Sequence, residues 1–122
     1  MKEEVLVKGK EGYSIIQNAI NKGWIKVIEP KKSLNLGLGN GENQAISLAI
    51  ERKDSIILDD AFAIKAAKAL NVPVLRTTTV VFTALKKRII KKAQALDIFN
   101  HLIESGYYIS TKDYAVLISK LK

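Results

Sequence analysis

The sequence predicts an α/β fold: a short parallel sheet flanked by helices, followed by a helical C-terminal part. Three observations carry that expectation. Short apolar runs alternate with segments of helical period over the first two-thirds of the chain, the pattern of parallel strands joined by right-handed crossovers. Ser55 to Leu58 is a continuous apolar run closed by Asp59 and Asp60, as in a strand buried on both faces. Beyond Ile90 only helical periodicity remains.

The elements follow in order. Met1 to Val7 reads as a short helical piece, broken by Gly9 and Gly12. Tyr13, Ile15, Ile16, Ala19 and Ile20 recur at helical spacing, and Gly23 stops that helix. Trp24 to Ile28 alternates as a short strand and ends at Pro30. A loop over Lys31 to Asn40 leads to a helix from Gly41 to Arg52, whose apolar side is Ala45, Ile46, Leu48, Ala49 and Ile50. After the strand Ser55 to Leu58, an Ala-rich helix runs from Asp60 to Leu70; its small side chains permit close packing, with Lys65 and Lys68 on the wet side. Asn71 and Pro73 turn the chain into a strand over Val72 to Arg76, and Thr77 to Thr79 are expected to cap a helix from Val80 to Ile90. Two further helices, Ala93 to Glu104 and Thr111 to Leu121, are split by Gly106.

With 122 residues, of which 48% are hydrophobic and 26% charged, the chain is expected to be a single domain over residues 1–122 that buries its own core. It contains no cysteine, which excludes disulfides and thiolate metal sites and suits a reducing cytoplasm. No apolar run approaches the roughly 20 residues a membrane helix needs, so no membrane partner is expected.

The net charge is +8 and unevenly placed. Residues 1–60 hold nine basic and nine acidic side chains; residues 61–122 hold eleven basic and three acidic ones. The densest basic run is Lys86, Lys87, Arg88, Lys91 and Lys92. Such a run suits a polyanion, because phosphate neutralisation by Lys and Arg releases counterions. A solvated helix face explains it equally well by charge pattern alone.

Chemistry concentrates at the acidic junctions. Glu42 lies in the first turn of one predicted helix, and Asp59 and Asp60 close a strand and open the next helix. Carboxylates gathered at the carboxyl ends of strands suit Mg²⁺ or Mn²⁺, which prefer oxygen ligands. The competing explanation is local: an acid at a helix start caps backbone N–H groups and complements the dipole. The Gly37, Gly39, Gly41 loop lacks the Lys-Ser or Lys-Thr of a P-loop and does not directly follow a strand. His101 has no second histidine or cysteine near it in sequence, and no Ser or Thr has the His and acid of a hydrolytic triad. Trp24, Tyr107 and Tyr108 are able to stack on bases, although aromatics beside apolar strands are more often core.

Three segments, GLGNGENQAISLAIERKDSIILDD, AIKAAKALNVPVLRTTTVV and IESGYYISTKDYAVLI, resemble in order the PIN-like nucleic-acid-binding proteins of the DUF3368 type, relatives of PIN-domain ribonucleases that include toxins of toxin–antitoxin pairs. The resemblance spans almost the whole chain. It implies a three-layer fold, an acidic cluster holding Mg²⁺ or Mn²⁺, and metal-dependent cleavage of RNA. By position it implies Glu4, Glu42 and Asp59 as metal ligands, Glu42, Asp59 and Asp60 as catalytic carboxylates, and Lys65, Lys68, Lys86, Lys87 and Arg88 as contacts to the nucleic-acid backbone. An antitoxin protein and a second copy of the chain are the protein partners it suggests.

The chain also departs from the family pattern. Relatives begin with a strand ending in an Asp-Ser-Ser-like segment; here Met1 falls within the region of the helix that carries Glu4, so the first strand and its Asp are expected to be missing. Gln44 stands where relatives often carry Glu, Arg76 and Thr79 where they often carry Gly, and Ala61 and Ile64 where they often carry basic residues. A gap in the sheet would leave backbone groups to be covered by a second protomer, or by residues encoded upstream of Met1. Two readings compete: a ribonuclease with an incomplete acidic site, and a non-catalytic nucleic-acid-binding or protein-interaction module, oligomeric, that retains the fold alone.

Overall fold

The computed structural model describes residues 12–121, and the expected helical piece at Met1 to Val7 and the candidate ligand Glu4 lie outside them. Among the described residues there are six helices and a short parallel sheet of two strands, an α/β arrangement. In chain order these are α1 (Tyr13–Asn21), α2 (Asn40–Arg52), β1 (Ile56–Ile57), α3 (Ala61–Ala69), β2 (Val74–Leu75), α4 (Thr77–Lys86), α5 (Lys92–Glu104) and α6 (Thr111–Leu121). The chain divides into two compact units between Val74 and Leu75.

The first unit is built around α2, β1 and α3. Ile46 and Ala49 of α2, Ile56 and Leu58 around β1, Ala63 and Ala67 of α3, and Val72 form one buried cluster. Ala63 and Ala67 are fully buried, so the small side chains do bring α3 close to its neighbours. The Ile56 N–H donates to the Pro73 carbonyl at 2.9 Å, which sets β1 beside β2.

Three strand expectations change. Trp24 to Ile28 forms no strand; Trp24 is 73% exposed, and Val27 and Ile28 are exposed too. Alternation is a local pattern, whereas a strand needs a neighbour to take its N–H and C=O groups; among the described residues the sheet holds only β1 and β2. The strand at Ser55 to Leu58 shortens to Ile56–Ile57 and is covered on one face, Ile56 being buried and Ile57 56% exposed. The strand at Val72 to Arg76 shortens likewise to Val74–Leu75.

The loop before α2 is fixed by a polar stripe on that helix. Asn43, Ser47 and Glu51 stand four residues apart and so share one face. Asn43 Oδ1 accepts the Leu36 N–H at 3.3 Å, and Nδ2 donates to the Leu38 carbonyl at 3.2 Å. Buried Ser47 accepts the Leu34 N–H at 2.9 Å and donates to the Asn43 carbonyl at 2.6 Å. Glu51 accepts the N–H groups of Lys31 and Lys32 at 3.1 and 2.9 Å.

The last pair of bonds has a pH signature. Hydrogen bonds from the Lys32 and Lys31 N–H groups hold the Glu51 carboxyl below its ordinary range. A folded-state pKa below the unfolded one gives stability that is full above the unfolded value and fades as pH falls through the folded value. The Glu51 carboxyl resonance is therefore expected to titrate below an ordinary glutamate. In Glu51→Gln, the acid-side fall in thermal stability is expected to be shallower than in wild type.

The second unit holds Val81, Ala95, Phe99 and Leu117 as its buried centre, packed by side chains from α4, α5, α6 and Ile109. The helix expected at Val80 to Ile90 instead runs from Thr77 to Lys86. Arg76, extended, takes the N-cap position, so Thr77 to Thr79 are helical residues rather than caps. At the other end Arg88 adopts a left-handed conformation, φ 61°, and stops the helix short of Ile90.

That stop is one of a set. After α2, α3, α4 and α5 the left-handed residue is Lys53, Asn71, Arg88 and Gly106 respectively. In each case its N–H and the next one turn back onto the helix: Lys53 to Ile50 and Asp54 to Ala49, Asn71 to Lys68 and Val72 to Ala67, Arg88 to Leu85 and Ile89 to Ala84, Gly106 to Ile103 and Tyr107 to Leu102. This is the Schellman closure, which satisfies carbonyls that a helix end leaves open.

Candidate functional site

The acidic junctions take their positions from helix ends. Glu42 is the third residue of α2 after the N-cap Gly39, the position from which a Glu side chain can reach back over the cap. Its half-buried carboxylate lies against Gly39 so closely that a Cβ there would collide with it. The contact is with the far end of a flexible side chain, which is able to swing aside, so space alone does not require glycine at this position.

Asp60 is the N-cap of α3, and its Oδ2 accepts the Ala63 N–H at 2.9 Å. Asp59 precedes it, half-buried, at the carboxyl end of β1. Replacing Asp60 by Ala is expected to lower unfolding stability by about 1 kcal/mol, while Asp60→Asn, which also caps well, is expected to retain nearly all of it. Urea melts of the two variants measure the difference.

A divalent cation needs several oxygen ligands that converge. Among the described residues no group of three His, Cys, Asp or Glu side chains comes together to hold a metal ion. Asp60 is engaged at its helix end, and Glu42 is folded back over Gly39. The described carboxylates alone do not make a site that fits Mg²⁺ or Mn²⁺.

The basic candidates divide between the units. Lys65 and Lys68 stand exposed on α3 in the first unit. Lys86, Lys87 and Arg88 stand exposed at the end of α4 in the second, where the left-handed Arg88 makes a tight turn. Lys91 and Lys92 follow at the start of α5, where Gln94 Oε1 accepts the Lys91 N–H at 2.8 Å and fixes the helix entry. The side chains of Lys86, Lys87 and Arg88 make no ion pair among the described residues. Their charge is displayed to solvent, with no ion-pair partner among the described residues.

The aromatic candidates separate as well. Trp24 and Tyr108 are 73% and 81% exposed, so neither is a core residue, while Tyr107 is half-buried. His101 is exposed, with Nδ1 at 2.7 Å from the Asp97 carbonyl one helical turn back. Sequence reasoning did not find the cleft in the second unit where Tyr108 lies beside Arg76 and Lys120. Nor did it find the Asn43, Ser47 and Glu51 stripe, whose signal was the four-residue spacing of side chains able to accept N–H bonds.

Comparison with known proteins places this α/β arrangement. It is a PIN domain: the DUF3368 family model, described as a PIN domain, matches residues 1–122. The chain belongs to that family. No curated protein and no solved structure is significantly similar to it. Membership implies a nuclease-like relation to nucleic acid. No helix among the described residues is long and apolar enough to cross a membrane.

Proposed function

We propose that this PIN-family chain binds RNA, or another nucleic acid, through the basic turn between α4 and α5. The observation that carries the reading is the solvent display of Lys86, Lys87 and Arg88, unpaired among the described residues, in a family that is nuclease-like. Phosphate contacts of this kind position a strand without reading its sequence. Lys65 and Lys68 are proposed as additional backbone contacts.

The catalytic extension of this reading is a metal-dependent ribonuclease of toxin–antitoxin type with an incomplete acidic site. Its proposed carboxylates are Glu42, Asp59 and Asp60, with Glu4, Glu42 and Asp59 as ligands to Mg²⁺ or Mn²⁺. An antitoxin and a homodimer partner belong to the same proposal. The alternative is a non-catalytic nucleic-acid-binding or protein-interaction module, oligomeric, that retains the fold alone.

Incubating the chain with labelled RNA in EDTA, Mg²⁺ and Mn²⁺ tests both. Retained binding with no cleavage in either metal supports the module. Cleavage that needs metal and is lost in Asp59→Asn and Glu42→Gln establishes the enzyme. Asp60→Asn keeps the cap of α3, so a loss of cleavage there reports chemistry rather than folding. Absence of any binding to RNA or DNA contradicts the proposal as a whole.

A further inference from the structure

The first unit carries an open groove of about 890 Å³, apart from the basic turn. Ile16 and Ile20 of α1, Val27, Leu48 of α2, and Ile56 and Ile57 of β1 give it an apolar lining. Val27 and Ile57 are 49% and 56% exposed, and Trp24, which leads into the lining segment, is 73% exposed. Single exposed apolar side chains are ordinary on a surface, whereas several gathered around a recess mark a surface that a partner covers.

Two backbone stretches at this groove lack a neighbour. The Ile56 N–H of β1 points to β2, so the N–H and C=O groups of Ser55 and Ile57 point the other way, where no strand lies among the described residues. The segment Trp24 to Ile28 has the alternation of a strand and forms none. Among the described residues its backbone is bonded at one point, the Ile25 N–H donating to the Ala19 carbonyl at 3.3 Å. The groove is thus bordered by an extended segment without a partner and by an edge without a strand, and within one chain the two do not pair. Between two copies related by a twofold axis each segment meets the other's edge, because an isologous contact uses the same patch twice.

Charge favours a second copy here. The rim sets Lys26 and Arg52 against Glu29 and Asp54, and residues 1–60 balance nine basic with nine acidic side chains. The excess charge lies in residues 61–122, where like charges repel a second copy. A balanced rim around an apolar recess gives a polyanion nothing to bind and leaves a copy of the same chain unopposed.

We propose that two copies of the chain associate through this groove, the Trp24 to Ile28 segment of each seated along β1 of the other, with Trp24 as the apolar anchor. The inference rests on the homodimer part of the reading above and gives that dimer its surface. It does not involve the basic turn.

Sedimentation velocity and tryptophan emission, followed together over a dilution series of the whole chain, test it. Trp24 is the only tryptophan, so its emission reports this surface alone. Emission is expected to shift to the blue as the dimer forms. Trp24→Ala is expected to weaken the dimer about 30-fold or more, the loss of an interface hot spot. Val27→Asp, which puts a carboxylate on the groove wall, is expected to abolish it. Both positions are exposed in the single chain, so the circular dichroism of each variant is expected to match wild type. Raising salt is expected to tighten the dimer by screening the repulsion between two chains of charge +8, opposite in sign to its effect on RNA binding. A dimer whose affinity is unchanged in both variants overturns this surface and keeps the homodimer. A monomer at every concentration overturns both.

Discussion

Phe99→Ala is expected to destabilise the chain by about 3–5 kcal/mol, the loss typical of removing a buried aromatic side chain and leaving a cavity. Phe99 is 1% exposed and lies in the buried centre of the second unit with Val81, Ala95 and Leu117. Truncation removes the transfer free energy of the ring and its tilted contact with Phe82, 5.3 Å between centroids. An aromatic pair contributes about 0.5–1.5 kcal/mol beyond its buried area. Against a typical total stability of about 5–15 kcal/mol, that loss is severe. Thermal melting is expected to drop by roughly 10–25 °C. Phe99→Leu, which fills more of the space, is expected to lose much less. A drop of only a few degrees in Phe99→Ala would show that the unit does not depend on this packing.

The second large effect concerns binding. Replacing Lys86, Lys87 and Arg88 together by Gln removes three exposed positive charges without touching the buried centre. Removing one phosphate-binding cation is expected to reduce the log–log dependence of affinity on salt by about 0.7 on single strands and about 0.9 on duplex. Removing all three is expected to weaken single-strand binding on the order of a hundredfold near 0.1 M salt. The melting temperature of the triple variant is expected to stay within a few degrees of wild type, since surface changes rarely exceed about 0.5 kcal/mol each. Binding and stability thus separate, in contrast to Phe99→Ala.

The helices were legible because their determinants are local. The apolar spacing of α2 and α3, the acid before Ala61 and the Gly after Ser105 sit within a few residues of the ends they specify. The strands were less so. Trp24 to Ile28 alternates well, yet pairing is a property of two segments, and the sheet among the described residues gives it no neighbour. Thr77 to Thr79 offered three capping hydroxyls, but the cap position is set by backbone conformation, and Arg76 is the extended residue before the helix. The stop at Arg88 was hidden because a left-handed arginine carries no compositional mark, unlike Gly106.

The candidate site was legible in residue type and less so in role. Glu42 and Asp60 drew attention as acids; Asp60 caps α3 on the Ala63 N–H, and Glu42 lies beside Gly39 in the first turn of α2. The sequence could not separate Tyr107 from Tyr108, since neighbours in an extended segment face opposite ways; one is half-buried and the other open to solvent. The cleft itself joins residues from Arg76 to Lys120, a juxtaposition that only the packing of α4, α5 and α6 provides.

The central claim, that the basic turn binds nucleic acid, is tested most directly by a salt titration of RNA binding in EDTA, where cleavage by a divalent metal is suppressed. Anisotropy of a labelled single-stranded RNA is followed for the wild type and for the Lys86, Lys87, Arg88 triple Gln variant. The account predicts a steep fall of affinity with salt for the wild type and a slope shallower by about 2 for the variant. Identical slopes in the two proteins, or affinity that does not respond to salt, would contradict it.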